Sequence, residues 1–216
     1  MNDMAVTRED VVHWLQNYGA ELSRNKEYLT QLDAAIGDAD HGANMDRGFN
    51  DPKRGVLAKL ASVADKDVAT ILKTTGMTLV STVGGGGGPL YGTLFMQMGM
   101  AAAGKTELGN GDLVAMFDAG LKGVVMRGKA NLGDKTMVDA ITPAVEAMRA
   151  AVNGGANTVE VLHQAAAAAE KGMIDTIPMV AKKGRASYLG ERSAGHQDPG
   201  ATSSFLMFKT AEETWK

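Results

Sequence analysis

The chain of 216 residues carries 44% hydrophobic and 22% charged side chains at a net charge of −3, the balance of an ordinary globular domain with one sizeable core. The absence of cysteine excludes disulfides, thiolate zinc sites and cysteine nucleophiles. No Lys/Arg run interleaved with aromatics offers a footprint for nucleic acid. No apolar stretch approaches the roughly 18 residues of a membrane span. Met1–Val6 lacks a basic region followed by an apolar segment, so a cytoplasmic protein without a leader is expected.

Thr7-Arg8-Glu9-Asp10 opens the chain as a capping-box-like helix start, and Val11, Trp14, Leu15 and Tyr18 follow at helical spacing. A second helix is predicted from near Glu27 through Leu32, stopping before Gly37. A polar stretch containing Pro52 leads to a helix marked by Val68, Ile71, Leu72, Thr75 and Leu79, which ends at the run Gly84–Gly88. Pro89 fits the first turn of the next helix, which continues through Leu90, Leu94, Phe95 and Met98 to Gly104. Leu113 to Val124 gives another, entered through Asn110 and Asp112. Met137–Val152 is helical, with a kink expected at Pro143; an alanine-rich helix from Val159 to about Ile177 is expected to break at Gly172. Phe205, Met207 and Phe208 lie in a last helix reaching toward Trp215. Strand patterns are scarce. About eight helices with short connections predict an all-α antiparallel bundle with its loops gathered at the ends. The 14 methionines read mostly as flexible core filler, and the 27 glycines are informative where they cluster.

Asp33-Ala34-Ala35-Ile36-Gly37-Asp38-Ala39-Asp40-His41-Gly42-Ala43-Asn44 places three carboxylates within eight residues. Like charges repel at such spacing, and a hard divalent cation relieves the repulsion. Asp38 and Asp40 can point the same way if the chain is extended there. A calcium EF-hand starting at Asp38 would need glycine where Ala43 stands and glutamate where Phe49 stands, so magnesium is the better fit. His41 and Asn44 follow as phosphate donors.

Five consecutive glycines, Gly84–Gly88, carry an ordering entropy that an ordinary turn rarely needs. Close backbone approach to an anion at a helix N-terminus would use them. Neither Gly87–Gly92, followed by Thr93, nor Gly128–Gly133, followed by Asp134-Lys135-Thr136, is a P-loop. The stretches Lys182–Tyr188 and Ser193–Ser203 read as a long polar loop, in which Arg185 could neutralise a phosphate and Asp198-Pro199-Gly200 could turn against a base or ribose.

Together these segments resemble the nucleotide-binding L subunit of bacterial dihydroxyacetone kinase. The matching motifs are Gly37-Asp38-Ala39-Asp40-His41-Gly42, Gly88-Pro89-Leu90-Tyr91-Gly92-Thr93, Gly133-Asp134-Lys135-Thr136-Met137, and Gly184-Arg185 through Gly200-Ala201-Thr202. The resemblance implies one domain over residues 1–216, folded as an eight-helix antiparallel barrel with nucleotide and metal in loops at one end. It implies a homodimer holding ADP or ATP with two Mg2+ ions. A phosphohistidine-bearing M subunit would recharge the ADP, and a K subunit would hold dihydroxyacetone. By position, Asp33, Asp38 and Asp40 correspond to metal ligands. His41, Gly42, Ala43 and Asn44 correspond to phosphate contacts, as do Gly86 and Gly87. Gly128, Thr136 and Met137 correspond to the nucleotide-side pocket, and Arg185, Asp198, Pro199 and Gly200 to the remaining nucleotide contacts. The family pattern reads glycine-glycine-alanine-serine-glycine before the proline, so Gly87 lacks a serine hydroxyl, and the loop near Asn50–Arg54 is slightly longer than the pattern. Two other readings stay open: a subunit of an ATP-dependent kinase with exchangeable ATP, and a magnesium–nucleotide signalling module without catalysis.

Overall fold

The computed structural model describes residues 5–216; most of the Met1–Val6 stretch, where no leader is expected, lies outside the described residues. The chain opens with β1 (Val6–Thr7), α1 (Arg8–Arg24), α2 (Lys26–Ile36), α3 (His41–Asn50), α4 (Val56–Leu60) and α5 (Val68–Thr82). It continues with α6 (Gly87–Ala101), β2 (Glu107–Leu108), α7 (Asn110–Gly128), α8 (Val138–Asn153), α9 (Thr158–Asp175), a 3-10 helix (Arg185–Ser193) and α10 (Pro199–Thr214). The all-α class is as expected. Two helical segments, α3 and α4, arise from the stretch read as polar connection.

Thr7 caps α1 by accepting from the Asp10 amide, and Asp10 reciprocates to the Thr7 backbone amide at 2.9 Å, which satisfies two amides the helix leaves open. The two-residue strands pair antiparallel, Val6 opposite Leu108, and tie the start of α1 to the start of α7. From α5 onward each helix packs on the next in chain order; α10 returns to α1, and α1 to α3. The circuit encloses one apolar cluster drawn from every long helix. At its centre Trp14 meets Phe95 and Phe117 at 6.0 Å and Trp215 at 4.9 Å. Both indole N–H groups are satisfied, Trp14 by the Met207 carbonyl and Trp215 by the Asp10 carbonyl, each at 3.0 Å, so these rings bury apolar area without stranding a donor. Among the described residues six methionines, including Met45, Met116 and Met207, fill this core, whereas Met77, Met100 and Met126 face solvent. Among the described residues no helix is long and apolar enough to cross a membrane.

Two sequence expectations are corrected here. The α9 helix does not break at Gly172; it runs unbroken from Thr158 to Asp175. A Cβ at Gly172 would collide with the Asp139 carbonyl and would come within 2.9 Å of Pro143 Cγ. Pro143 sits inside α8 and has no amide for that carbonyl four residues back. The glycine is therefore a close crossing between α9 and α8. Asp198-Pro199-Gly200 is also not a free turn: Asp198 is the N-cap of α10, accepting from the Ala201 amide at 2.7 Å, and Pro199 opens the helix.

Candidate metal and nucleotide site

The aspartate loop is the junction of α2 and α3. Gly37 ends α2, and its backbone amide returns to the Asp33 carbonyl. Ala39 then takes a left-handed backbone at φ 62°, a conformation that strains any residue with a Cβ. The chain is therefore kinked between Asp38 and Asp40, so the extended condition under which the two could point the same way is not met. The kink lets Asp33 Oδ2 accept from the amides of Asp40, at 2.8 Å, and His41, at 3.1 Å, which secures the start of α3. One carboxylate oxygen from each of Asp33, Asp38 and Asp40 falls within 4.8 Å of the others. Asp33 is buried, Asp40 half-buried and Asp38 exposed. An all-oxygen, all-carboxylate donor set open on one side fits Mg2+, a hard cation that keeps waters and substrate phosphates among its ligands.

The glycine run faces this loop. Gly85 adopts φ 61° and lies 3.8 Å from Asp40 Oδ2, measured from the position a Cβ would take. Only glycine adopts that turn without strain. Gly86 is the N-cap of α6, and Gly87 is its first residue. Arg47 braces the run from α3, donating to the Thr82 carbonyl at 3.0 Å and to Asn44 Oδ1 at 2.5 Å. From the third side Arg185, at the start of the 3-10 helix, reaches Asp38 Oδ2 at 3.1 Å. These elements enclose a cleft of about 160 Å³.

Of the residues singled out by sequence, the cleft is lined by Asp33, Asp38, Asp40, His41, Asn44, Gly86, Gly87, Arg185 and Pro199. Gly42 is turned away: a Cβ there would collide with the Lys26 carbonyl, so its α-carbon seats α3 on α2. Ala43, Gly128, Thr136, Met137, Asp198 and Gly200 do not line the cleft. Thr136 and Met137 sit at the start of α8, where Asp139 accepts from the Thr136 amide at 2.7 Å and from the Gly133 amide at 2.5 Å. Gly200 lies against Met137, with a Cβ position 3.6 Å from the Met137 amide nitrogen, so the starts of α8 and α10 adjoin.

Two features went unread in the sequence. His41 Nε2 meets Ser203 Oγ at 2.8 Å, and Ser203 Oγ meets the Tyr91 hydroxyl at 2.7 Å. This chain of hydrogen bonds links the cleft to the core, with desolvation holding the His41 pKa below its ordinary value against the charges of Asp33 and Asp40 and burial pushing the Tyr91 hydroxyl up to about 12. Its partners are 162 and 112 residues apart in sequence, so no local pattern announces them. The second is the buried Lys135, taken up below.

Burial also raises the Asp198 carboxyl to about 7, with Asp139 and Asp33 adding to the rise and the Ala201 amide and Lys135 opposing it. A carboxyl whose pKa rises on folding keeps its proton in the folded chain after the unfolded chain has released it. The folded form therefore loses stability as pH climbs from about 4 to about 7. Asp198→Asn, which preserves an N-cap acceptor, is expected to flatten that part of the stability–pH curve for the nucleotide-free protein. Urea denaturation at pH 4.5, 5.5 and 6.5 measures it, and an unaltered slope would refute the assignment.

The architecture and cleft define a class: an all-helical domain with a cluster of three carboxylates beside a glycine-lined helix N-terminus. The DAK2 domain matches residues 35–213. The chain is 49% identical over 206 residues to the ADP-binding subunit DhaL of the PEP-dependent dihydroxyacetone kinase of Escherichia coli strain K12, covering 95% of this chain and 96% of that one. It is 42% identical over 216 residues to the ADP-binding subunit DhaL of PEP-dependent dihydroxyacetone kinase 2 of Listeria innocua, covering 100% of this chain and 99% of that one. The crystal structure of the dihydroxyacetone kinase from C. freundii in complex with AMP-PNP and Mg2+ superposes with a TM-score of 0.66 at 26% identity, over 94% of this chain and 33% of that one. The chain thus belongs to the DAK2 domain family and, within it, to the L subunits of phosphoenolpyruvate-dependent dihydroxyacetone kinases.

Proposed function

We propose that this chain, as a single domain and a homodimer, carries ADP with two Mg2+ ions as a resident cofactor. In this reading a phosphohistidine on an M subunit gives its phosphoryl group to the ADP β-phosphate, forming ATP. The γ-phosphoryl group then passes to a hydroxyl of dihydroxyacetone held on a K subunit. The observation that carries the reading is the convergence of Asp33, Asp38 and Asp40 within 4.8 Å on a cleft shared with Gly86, Gly87 and Arg185. Bound magnesium would supply charge neutralisation of the phosphate oxygens. Asp33, Asp38 and Asp40 would hold the metal, the α6 N-terminus would present amides to phosphate, and Arg185, already 3.1 Å from Asp38, would exchange that carboxylate for a phosphate oxygen. None of these groups forms a covalent intermediate; catalysis is positioning and charge.

Native mass spectrometry of the freshly purified protein tests this. A mass excess of one ADP and two Mg2+ per chain, removed by a chelator, is the expected result. A bare chain that binds ATP only in passing would favour the ATP-dependent reading, for which the hydroxyl-free Gly87 is the specific supporting observation.

A further inference from the structure

Lys135 is only 1% exposed, an uncommon state for a lysine. Its backbone is left-handed, at φ 62°. Among the described residues its ammonium makes no ion pair. Instead Nζ donates to the carbonyls of Thr176 at 2.7 Å, Met179 at 3.1 Å and His196, with the Ile177 carbonyl at 3.4 Å. Desolvation lowers its pKa and the charge of Asp198 opposes the drop. Burying a cation without a carboxylate is costly, and three carbonyls fill the three N–H bonds an ammonium has.

The position of those carbonyls gives the arrangement meaning. Thr176 and Met179 begin the excursion between α9 and α10, and His196 ends it. Within the excursion lie Lys183, Arg185 and Ala186, which form one wall of the cleft. Other ties near its base run from the Gly195 amide to the Ile177 carbonyl at 2.8 Å, the Lys182 amide to the Asp134 carbonyl at 3.1 Å, the Ala181 amide to Ser193 Oγ at 2.8 Å, the Asp198 amide to Thr176 Oγ1 at 3.0 Å, and the Lys182 ammonium to Asp134 Oδ1 at 3.9 Å. A small apolar contact of Ile36 with Ala181 and Ala186 seats the wall on α2. The Lys135 ammonium, with the Asp198 carboxyl and the Lys182–Asp134 pair beside it, anchors both ends of the excursion to the start of α8.

We infer that Lys135 is a positioning residue for nucleotide binding: its ammonium gathers both ends of the 176–196 excursion and so sets Arg185 at its distance from the aspartate loop. The inference rests on the nucleotide reading above. Lys135 touches neither phosphate nor metal and acts through Arg185.

The test is a double-mutant cycle. Mg·ADP affinity is measured by calorimetry for wild type, Lys135→Met, Arg185→Ala and the double variant, with amide hydrogen exchange on the four nucleotide-free proteins. Each single variant is expected to bind about tenfold more weakly, the effect of one hydrogen bond to a charged group. The double variant is expected to be within about twofold of the weaker single, because Arg185 has already lost its place. Exchange should quicken in residues 176–198 and stay unchanged in α1, α5 and α6. Full multiplication of the two losses would overturn the inference, as would affinity within about twofold of wild type for Lys135→Met, or faster exchange spread evenly over the chain. If Lys135→Met yields no folded protein, Lys135→Arg is carried through the same cycle, and the same results decide. A wild-type protein that binds no Mg·ADP would overturn the nucleotide reading and this role together. Wild-type binding with an indifferent Lys135→Met would overturn this role alone.

Discussion

Asp38→Asn is expected to weaken Mg2+-dependent ADP binding by on the order of 100-fold or more while leaving the nucleotide-free protein at least as stable as wild type. Asp38 is exposed, and Arg185, its ion-pair partner among the described residues, is 65% exposed, a pairing worth little to stability in water. Removing one of three clustered like charges also relieves repulsion. Asp33→Ala is expected to differ in kind. Asp33 Oδ2 holds the amides of Asp40 and His41, so truncation removes a cation ligand and also strands the start of α3. Losing two such bonds costs roughly 1–3 kcal/mol, a drop of about 2–8 °C in melting temperature for a chain of this size. Calorimetric titration with Mg·ADP and thermal melts in a chelator separate the two. Affinity within about threefold of wild type for Asp38→Asn would remove the carboxylate cluster from the metal site.

The long helices were legible because their apolar residues recur every three or four positions over several turns, as in Val11, Trp14, Leu15 and Tyr18, all of which are buried. The α3 helix was not legible. His41–Asn50 holds two glycines and two asparagines, poor helix formers. Tertiary contact sets it instead: Met45 and Phe49, four apart, enter the core, and Gly42 and Gly48 let the helix approach α2 and Val83 closely. Asp-Pro misled for a different reason, since the pair begins turns and helices alike. At the site, the three aspartates were plain in the sequence, but their convergence depends on the left-handed Ala39, which alanine does not advertise. Lys135 was hidden because a lysine in a polar, glycine-flanked stretch reads as solvated. Its partners are backbone carbonyls, which leave no trace in residue identity.

Gly87→Ser is expected to tighten Mg·ADP binding by roughly tenfold to a hundredfold, the worth of about 1.5–3 kcal/mol for a hydrogen bond to a charged phosphate oxygen. Gly87 opens α6 and lines the cleft. Its backbone is helical, so a Cβ brings no conformational strain, and the nearest atom to it would be Val83 Cγ1 at 3.3 Å. That contact asks Val83 to give by a few tenths of an ångström. Replacing glycine at a compatible helical position stabilises by about 0.4–1 kcal/mol through the unfolded chain, which offsets the crowding. Gly87→Ala carries the same crowding and the same entropy gain without the hydroxyl, so the ratio of the two dissociation constants isolates the hydroxyl. Equal affinity for the serine and alanine variants would mean that the Gly87 amide alone meets the phosphate. A hydroxyl at residue 87 would then have no part in how readily ADP exchanges.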